Sequence, residues 1–261
     1  MDLSSLIGAI VAIIVVYLGI AMGGNFEVFI EPHAALIVFG GMAASTFISF
    51  PLSTVLKVIT ICKQCMVTRP LDPADEVRRF VEYARIARRS GILSLEEKLA
   101  ESGNPFLRRG LQLVIDGTPA EAVREILTSQ LDARRERHKR GKMVLDNMGA
   151  SAPAMAMVGT LIGLIQMLAN LSDPSGVGKG MAVALVATFY GAAFANLVAI
   201  PLANKLDARS QDENLMTQLM IEGIIGIQSG DNPNMIEDRL KSYLAPSVAQ
   251  TLEENAEGKA A

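Results

Sequence analysis

The sequence predicts an all-α integral membrane protein: four transmembrane helices in two pairs, with a cytoplasmic helical domain between spans two and three. Two observations predict this class. First, four long apolar runs contain no Asp, Glu, Lys, Arg or His, and they cover residues 3–26, 34–56, 147–172 and 180–204. Each run is long enough for a helix to cross about 30 Å of hydrocarbon at 1.5 Å per residue. Second, of the 24 Lys and Arg residues, 18 lie between Lys57 and Lys142.

The runs divide the chain into four predicted segments. Residues 1–56 hold the first transmembrane pair, with spans at about 3–22 and 34–54, and residues 57–146 form the cytoplasmic helical domain. Residues 147–206 hold the second pair, with spans at about 148–171 and 180–204. Residues 207–261 are predicted to be a cytoplasmic helical extension that ends in a disordered tail rich in Glu, Ala and Lys.

The distribution of basic residues predicts the orientation. The connection between spans one and two has Glu27, Glu31 and His33 but no Lys or Arg, and the connection between spans three and four has only Lys179. Because Lys and Arg are retained on the cytoplasmic side, both N- and C-termini are predicted to be cytoplasmic. The net charge of −3 gives no general attraction to nucleic acid.

Within the first pair, Gly23-Gly24 ends span one, and span two begins after Pro32. Pro51 kinks or ends its apolar part, and the helix is predicted to continue to about Val67. The cytoplasmic domain then reads as a series of helices with clear start signals. These are Asp72-Pro73, the capping-box pattern Ser94 to Glu97, the break Gly103-Asn104-Pro105, and Thr118-Pro119 after the turn Asp116-Gly117.

Residues 172–178 are predicted to be a non-helical loop, because they are polar and rich in Gly. Span four is predicted to continue as a helix towards Ile227, followed by a turn at 229–234 and a short helix to Leu244. A basic run from Arg134 to Lys142 precedes span three, and its plain interpretation is an anchor on acidic membrane lipid.

Two hydroxyl groups and two prolines stand out in spans three and four. Thr160 and Thr188 can each bond the carbonyl four residues back, or together they can line a narrow polar path. Pro153 and Pro201 each remove a backbone donor near the cytoplasmic end of a span, which predicts either a tolerated kink or a hinge. The spacing of Gly159 and Gly163 favours a close helix contact.

Charges of opposite sign flank the turn at Gly91. Arg88 and Arg89 end one predicted helix, and Glu96 and Glu97 begin the next, an arrangement that helix dipoles favour and that could also face a charged partner. No residue pattern predicts an enzyme or a resident metal site. Cys62 and Cys65 lack further ligands at metal-site spacing and are interpreted as reduced thiols.

Several separated motifs resemble the MotA/PomA family of flagellar stator subunits. They are ARxxRRxGxLxLE at residues 84–96, MVGTLIGL at 157–164, MAVALxxTxYGA at 181–192 and PLANKL at 201–206. The resemblance covers almost the whole chain. It implies a homo-pentamer in the bacterial inner membrane around two copies of a MotB/PomB-like partner, whose single membrane helix carries the ion-binding Asp. Ion flow through that complex is expected to produce torque on the rotor protein FliG, and hence motility.

The resemblance also implies roles for particular residues. Arg88 and Glu96 match the rotor-facing charges, with Arg89 and Glu97 beside them, and Pro153 and Pro201 match the two membrane prolines. Sodium-type members are similar in having Thr at both Thr160 and Thr188, whereas proton-type members typically have Ala at the first position. Na⁺, bound transiently at Thr160, is therefore the favoured coupling ion, with H⁺ as the alternative, and no cofactor is expected.

Two other interpretations remain open at this point. An ExbB/TolQ-like proton-driven energiser shares the stator mechanism but typically has three spans and an outside N-terminus. A non-conducting membrane scaffold would use Thr160 and Thr188 only for packing.

Overall fold

The computed structural model describes residues 3–67, 72–101, 103–244, 246 and 248–250, and the regular structure within them is helical, without strands. Its helices are α1 (Leu3–Ala21), α2 (Pro32–Ala35), α3 (Gly41–Ser49), α4 (Leu52–Val67), α5 (Pro73–Ser90), α6 (Leu95–Glu101), α7 (Pro105–Ile115), α8 (Ala120–Ala169), α9 (Pro174–Phe194), α10 (Ile200–Gln228) and α11 (Pro233–Lys241). Two π-helical turns, Leu36–Gly40 and Ala195–Ala199, join α2 to α3 and α9 to α10. The predicted disordered tail lies almost wholly outside the described residues.

Within the part of the chain that the structure describes, three helical stretches are long and apolar enough to cross a membrane. They are Phe26–Ser49, Ala120–Ala169 and Pro174–Gln228, and a shorter apolar helix covers Ile7–Ala21. The helix of the second predicted span ends at Ser49, earlier than the predicted residue 54, because Phe50 adopts an extended conformation next to Pro51. A separate helix, α4, then begins at Leu52 and reaches Val67.

The chain forms two compact units. The first unit comprises Met1–Arg69 and Arg137–Arg209, and the second comprises Pro70–Glu136 and Ser210–Ala261. Both α8 and α10 contribute residues to each unit. The boundaries differ from the predicted segments, because the helical part of the predicted C-terminal extension belongs to the same unit as α5 to α7 rather than standing apart. Its apolar residues supply one wall of that core.

The core of the second unit is filled by large side chains from six helices, α5 to α8, α10 and α11. Its most deeply buried members include Phe80, Leu107, Leu111, Leu127, Leu131, Leu219, Ile224, Ile236 and Leu240. Gly223 and Gly110 let these helices approach closely. A Cβ at Gly223 would lie 2.5 Å from the Phe80 ring, and one at Gly110 would lie 2.4 Å from the Ile224 side chain.

One carboxyl group is buried in this core. Glu76 is 1% exposed, and its Oε1 accepts a hydrogen bond of 2.8 Å from the Arg79 guanidinium. Its Oε2 is buried without a hydrogen-bond partner among the described residues. Desolvation raises the pKa of Glu76 above its ordinary value, although the Arg79 charge opposes the shift.

Helix starts follow one local pattern, an acidic or amide side chain followed by Pro. Asp72, Asn104, Asp173 and Asn232 each accept a hydrogen bond from a main-chain N–H two residues on, and each precedes a Pro at the first helical position. At Asp173 this corrects the sequence prediction. Residues 174–178 are the first turns of α9 and not a loop, because the Asp173 cap and Pro174 outweigh the weak helix propensity of Gly176 and Gly178.

Candidate functional site

Helices α8 and α9 of the first unit pack through small residues. A Cβ at Gly163 would lie 2.6 Å from the carbonyl oxygen of Gly180, and one at Gly180 would lie 2.7 Å from that of Gly163. Near the other end of the contact, a Cβ at Gly191 would lie 2.7 Å from the carbonyl oxygen of Ala152. Main chain therefore meets main chain at these points, as the Gly159/Gly163 spacing predicts, and only glycine fits.

Thr160 of α8 and Thr188 of α9 meet within this contact. Their hydroxyl oxygens are 2.7 Å apart. The Thr160 hydroxyl is also 2.9 Å from the carbonyl oxygen of Ala156 and 3.2 Å from that of Ala184, and the Thr188 hydroxyl is 3.1 Å from the Ala184 oxygen. The structure thus brings together the two threonines that the sequence places on separate spans.

The two threonine hydroxyls make four close contacts with oxygen atoms but have only two hydrogens to donate. Each hydroxyl has one hydrogen to donate, so at most two of these four contacts are full hydrogen bonds. If Thr160 and Thr188 each bonded the carbonyl four residues back, no hydrogen would remain for the 2.7 Å contact between them. Hydroxyl and carbonyl oxygens with spare lone pairs are the kind of group that replaces the hydration shell of a small cation.

The two membrane prolines differ in their surroundings. Pro153 lies inside the continuous helix α8, where its ring leaves the carbonyl of Gly149 without the usual helical donor. Pro201 is the second residue of α10, and only Ile200 separates it from the π-helical turn Ala195–Ala199. A π-helical turn beside a proline relieves the steric and hydrogen-bond mismatch that the ring creates, and such turns are frequent at functional sites.

The four rotor-facing candidates lie around one turn of the second unit. Arg88 and Arg89 are exposed in the last turn of α5, and Glu96 and Glu97 are exposed in the first turn of α6. The chain reverses between them at Gly91, whose φ of 84° lies in the left-handed region that favours glycine. The Ser94 hydroxyl donates to the Gly91 carbonyl at 2.6 Å, which ties the turn together.

Tyr190, two residues after Thr188 in α9, forms an interaction that the sequence did not predict. Its hydroxyl donates to the carbonyl of Phe29 at 2.5 Å and accepts from the N–H of Glu31 at 3.3 Å. The available signal was the residue type, because a tyrosine inside an apolar span must find a partner for its hydroxyl. What it could not provide was the partner, which lies about 160 residues away.

Two polar groups near the ends of the apolar runs have shifted pKa values. Hydrogen bonds from the Ser175 hydroxyl and N–H lower the pKa of Asp173, which keeps this helix cap ionised. The hydrogen bond to Asp146 raises the pKa of Lys142. The described residues contain no group of three or more His, Cys, Asp or Glu side chains that could hold a metal ion. The side chains of Cys62 and Cys65 are outside the described part.

Comparison with known proteins gives consistent matches. A family model described as the MotA/TolQ/ExbB proton channel family matches residues 99–219. The chain is 38% identical to Chemotaxis protein PomA of Vibrio alginolyticus over 94% of this chain and 96% of that protein. It is 40% identical to the uncharacterized protein YtxD of Bacillus subtilis, over 90% of this chain and 87% of that protein.

The fold matches a solved structure over a similar range. The flagellar MotAB stator complex of Bacillus subtilis has a chain with a TM-score of 0.88 and 32% identity, covering 95% of this chain and 98% of that one. Identity of this size over nearly the full length, together with the motifs around Thr160, Thr188 and Arg88, is specific. The protein therefore belongs to the MotA/PomA family of flagellar motor stator subunits, which are ion-channel subunits and not enzymes.

Proposed function

We propose that this protein is the sodium-conducting stator subunit of a flagellar motor. The observation that carries the proposal is the Thr160–Thr188 pair, whose oxygens lie 2.7 Å apart beside the Ala184 carbonyl. This cluster offers Na⁺ neutral oxygen ligands that an Ala at either position would remove. Neither apolar run that forms the contact contains a carboxylate, so the protein supplies ligands but no titrating acid.

A second chain supplies that acid in the proposed complex. MotAB is the complex named in the matched Bacillus subtilis structure. We propose, from the MotA/PomA resemblance of the sequence motifs, that five copies of this protein surround two copies of a MotB/PomB-like partner, whose membrane Asp binds the coupling ion. The ion passes between the partner's Asp and the threonine pair, and its movement drives rotation of the pentamer around the dimer.

The proposed topology has four membrane helices and both termini in the cytoplasm of a bacterium, with the protein in the inner membrane. Helix α1 has 19 residues and is about 28 Å long at 1.5 Å per residue, close to the thickness of the hydrocarbon layer. The concentration of Lys and Arg between Lys57 and Lys142 supports a cytoplasmic location for the second unit.

Torque is proposed to reach the rotor protein FliG through the exposed charges Arg88, Arg89, Glu96 and Glu97. Pro153 and Pro201 are proposed hinge positions, since each leaves a helical carbonyl without its normal donor. The alternative of an ExbB/TolQ-like proton-driven energiser is supported only by the description of the matched family model, which names TolQ and ExbB beside MotA. The likenesses over nearly the full length to Chemotaxis protein PomA and to a chain of the MotAB stator complex favour the stator over that alternative.

The test compares Thr160→Ala, Thr188→Ala and the double variant, each produced with the cognate partner in cells without other stators. We expect each single variant to lower swimming speed strongly at limiting Na⁺, and the double variant to cost little more, because the two hydroxyls act as one site. Thr46→Ala is the matched control, since Thr46 makes the same bond to the carbonyl four residues back, at 2.8 Å, outside the pair.

Two outcomes would contradict the proposal. Normal torque with sodium removed and the proton gradient kept would exclude sodium coupling. Unchanged ion flux in Thr160→Ala would favour the scaffold interpretation, in which the hydroxyls only pack.

A further inference from the structure

Tyr190 joins two distant segments of the first unit through main-chain groups. Phe29 ends the short helical turn Phe26–Phe29, and Glu31 is the N-cap of α2. The Tyr190 hydroxyl bonds the Phe29 carbonyl at 2.5 Å and the Glu31 N–H at 3.3 Å, so one side-chain oxygen satisfies a group on each side of the bend at Ile30. Both contacted groups belong to the main chain. The two hydrogen bonds therefore fix the path of the chain here and do not involve the side chains of Phe29 and Glu31.

Aromatic packing holds the Tyr190 ring in place. Its centroid lies 5.9 Å from the Phe39 ring and 6.1 Å from the Phe189 ring. Phe29 in turn packs edge-on against Phe189 at 5.7 Å. Contacts at these distances are favourable for aromatic pairs and restrict rotation of the ring, so the hydroxyl is pre-positioned for its two hydrogen bonds.

The same helix carries Thr188, two residues before Tyr190. Residues two apart on a helix point in nearly opposite directions, so α9 is held on one side by Tyr190 and presents Thr188 on the other. The neighbouring residues Val186 and Ala187 are buried against Ala34 and Val38 of the segment that follows the bend. The rotation of α9 about its axis is therefore set partly by the Tyr190 contact.

We propose that Tyr190 is a positioning residue for the ion pathway: its hydroxyl fixes the Phe29–Glu31 bend to α9 and so holds Thr188 at hydrogen-bond distance from Thr160. A contact of 2.7 Å between two hydroxyl oxygens tolerates little rotation of either helix. Loss of the Tyr190 hydroxyl releases α9 and also leaves two main-chain groups without their partner. This inference rests on the proposed ion-pathway role of the threonine pair.

The variant Tyr190→Phe tests the proposal, because it removes the two hydrogen bonds and keeps the ring. Swimming speed is measured against external Na⁺ concentration, with the number of membrane-inserted stators measured in parallel. We expect the Na⁺ concentration for half-maximal speed to rise by about two- to tenfold, the range that one net hydrogen bond supports, because the 3.3 Å contact with the Glu31 N–H is the weaker of the two. The number of assembled stators is expected to change little.

Tyr17→Phe is the matched control, since Tyr17 is an exposed tyrosine of α1 whose ring packs on Phe26. It should leave the half-maximal Na⁺ concentration unchanged. If Tyr190→Phe fails to accumulate, Phe39→Leu removes a stacking partner of the ring without removing a hydrogen bond, and a smaller shift in the same direction is expected.

An unchanged half-maximal Na⁺ concentration in the accumulating variant, or equal shifts in Tyr190→Phe and Tyr17→Phe, would overturn the positioning role. Failure of sodium coupling is a separate result, visible as wild-type speed that is independent of Na⁺. In that case the same titration against external H⁺ concentration decides whether Tyr190 positions the pathway.

Discussion

Helices α8 and α9 meet through small residues, whereas the core of the second unit is filled by large aliphatic and aromatic side chains. At Gly163 and Gly180 the contact lacks room for even one methyl group. In the second unit, Leu127 and Phe80 are completely buried and fill the space between helices. Water drives the burial of large side chains in a soluble core, but lipid gives no such advantage, so the membrane contact depends on close main-chain approach.

The polar groups of the α8–α9 contact and of the second unit's core also differ. The threonine pair lies in a contact built of small residues and satisfies its hydrogens internally, with acceptor capacity to spare. Glu76 is a carboxyl group in an apolar core, and one of its oxygens has no hydrogen-bond partner in the part of the chain that the structure describes. The threonine pair is therefore suited to binding a passing cation. The buried Glu76 carboxyl, when it is ionised, instead destabilises the folded second unit.

The largest expected effect on stability is in the core of the second unit. Leu127→Ala should lower the free energy of unfolding by about 3 kcal/mol, because it removes a completely buried side chain and leaves a cavity. Leu93→Ala is the control, since Leu93 is 70% exposed. Thermal unfolding of the purified full-length protein, followed by helical circular dichroism, measures both. Equal losses in the two variants would contradict the assigned core.

A single added methyl group should disrupt the α8–α9 contact. Gly163→Ala places a Cβ against the Gly180 carbonyl and the Ala184 N–H, which are main-chain atoms that cannot rotate away. We expect about 2 kcal/mol of destabilisation together with loss of motility. Gly178→Ala, also in α9, is the control, because its Cβ would meet nothing within 4 Å. Membrane accumulation and motility are measured, and normal motility in Gly163→Ala would contradict the close contact.

Glu76 should make the stability of the second unit depend on pH. Its pKa is raised by desolvation in the folded state, so the folded protein binds the proton more tightly than the unfolded chain. Stability should therefore fall as the pH rises from about the ordinary Glu value through the raised folded value, and should be lowest above it. Glu76→Gln should remove this slope and raise the melting temperature at neutral pH.

The control for Glu76 is Asp75→Asn, because Asp75 is an exposed neighbour on the same helix. It should leave the pH dependence as in the wild type. A melting temperature that varies with pH equally in Glu76→Gln and in the wild type would show that another group is responsible.

The smallest effect on stability, with a large effect on function, is expected at the charged turn. Arg88→Glu reverses the sign of an exposed side chain and should change the melting temperature very little. Torque should nevertheless fall sharply if the turn contacts charges on the rotor. Tethered-cell rotation measures torque, and co-purification with the partner measures assembly. A variant that fails to bind its partner would identify Arg88 as structural.

Local signals predicted much of the helical framework. Asp72-Pro73 and Gly91 delimit α5, and Pro51 separates α3 from α4, because capping and proline effects act within a few residues. The same cap-and-proline signal at Asp173-Pro174 was outweighed in the prediction by the following glycines, although the cap starts α9 there. Local rules were therefore sufficient to place the start of α9. The prediction failed because the cap-and-proline rule conflicted with the low helix propensity of glycine.

The sequence by itself determined the apolar runs, the distribution of basic residues, the helix caps and the identity of the two threonines, because these depend on composition and on interactions within a few residues. Only the tertiary structure decided that Thr160 and Thr188 touch, that Tyr190 bonds the bend at Phe29 and Glu31, and that α10 and α11 complete the core around Phe80. These contacts join residues from 28 to about 160 positions apart, and their geometry depends on how whole helices pack.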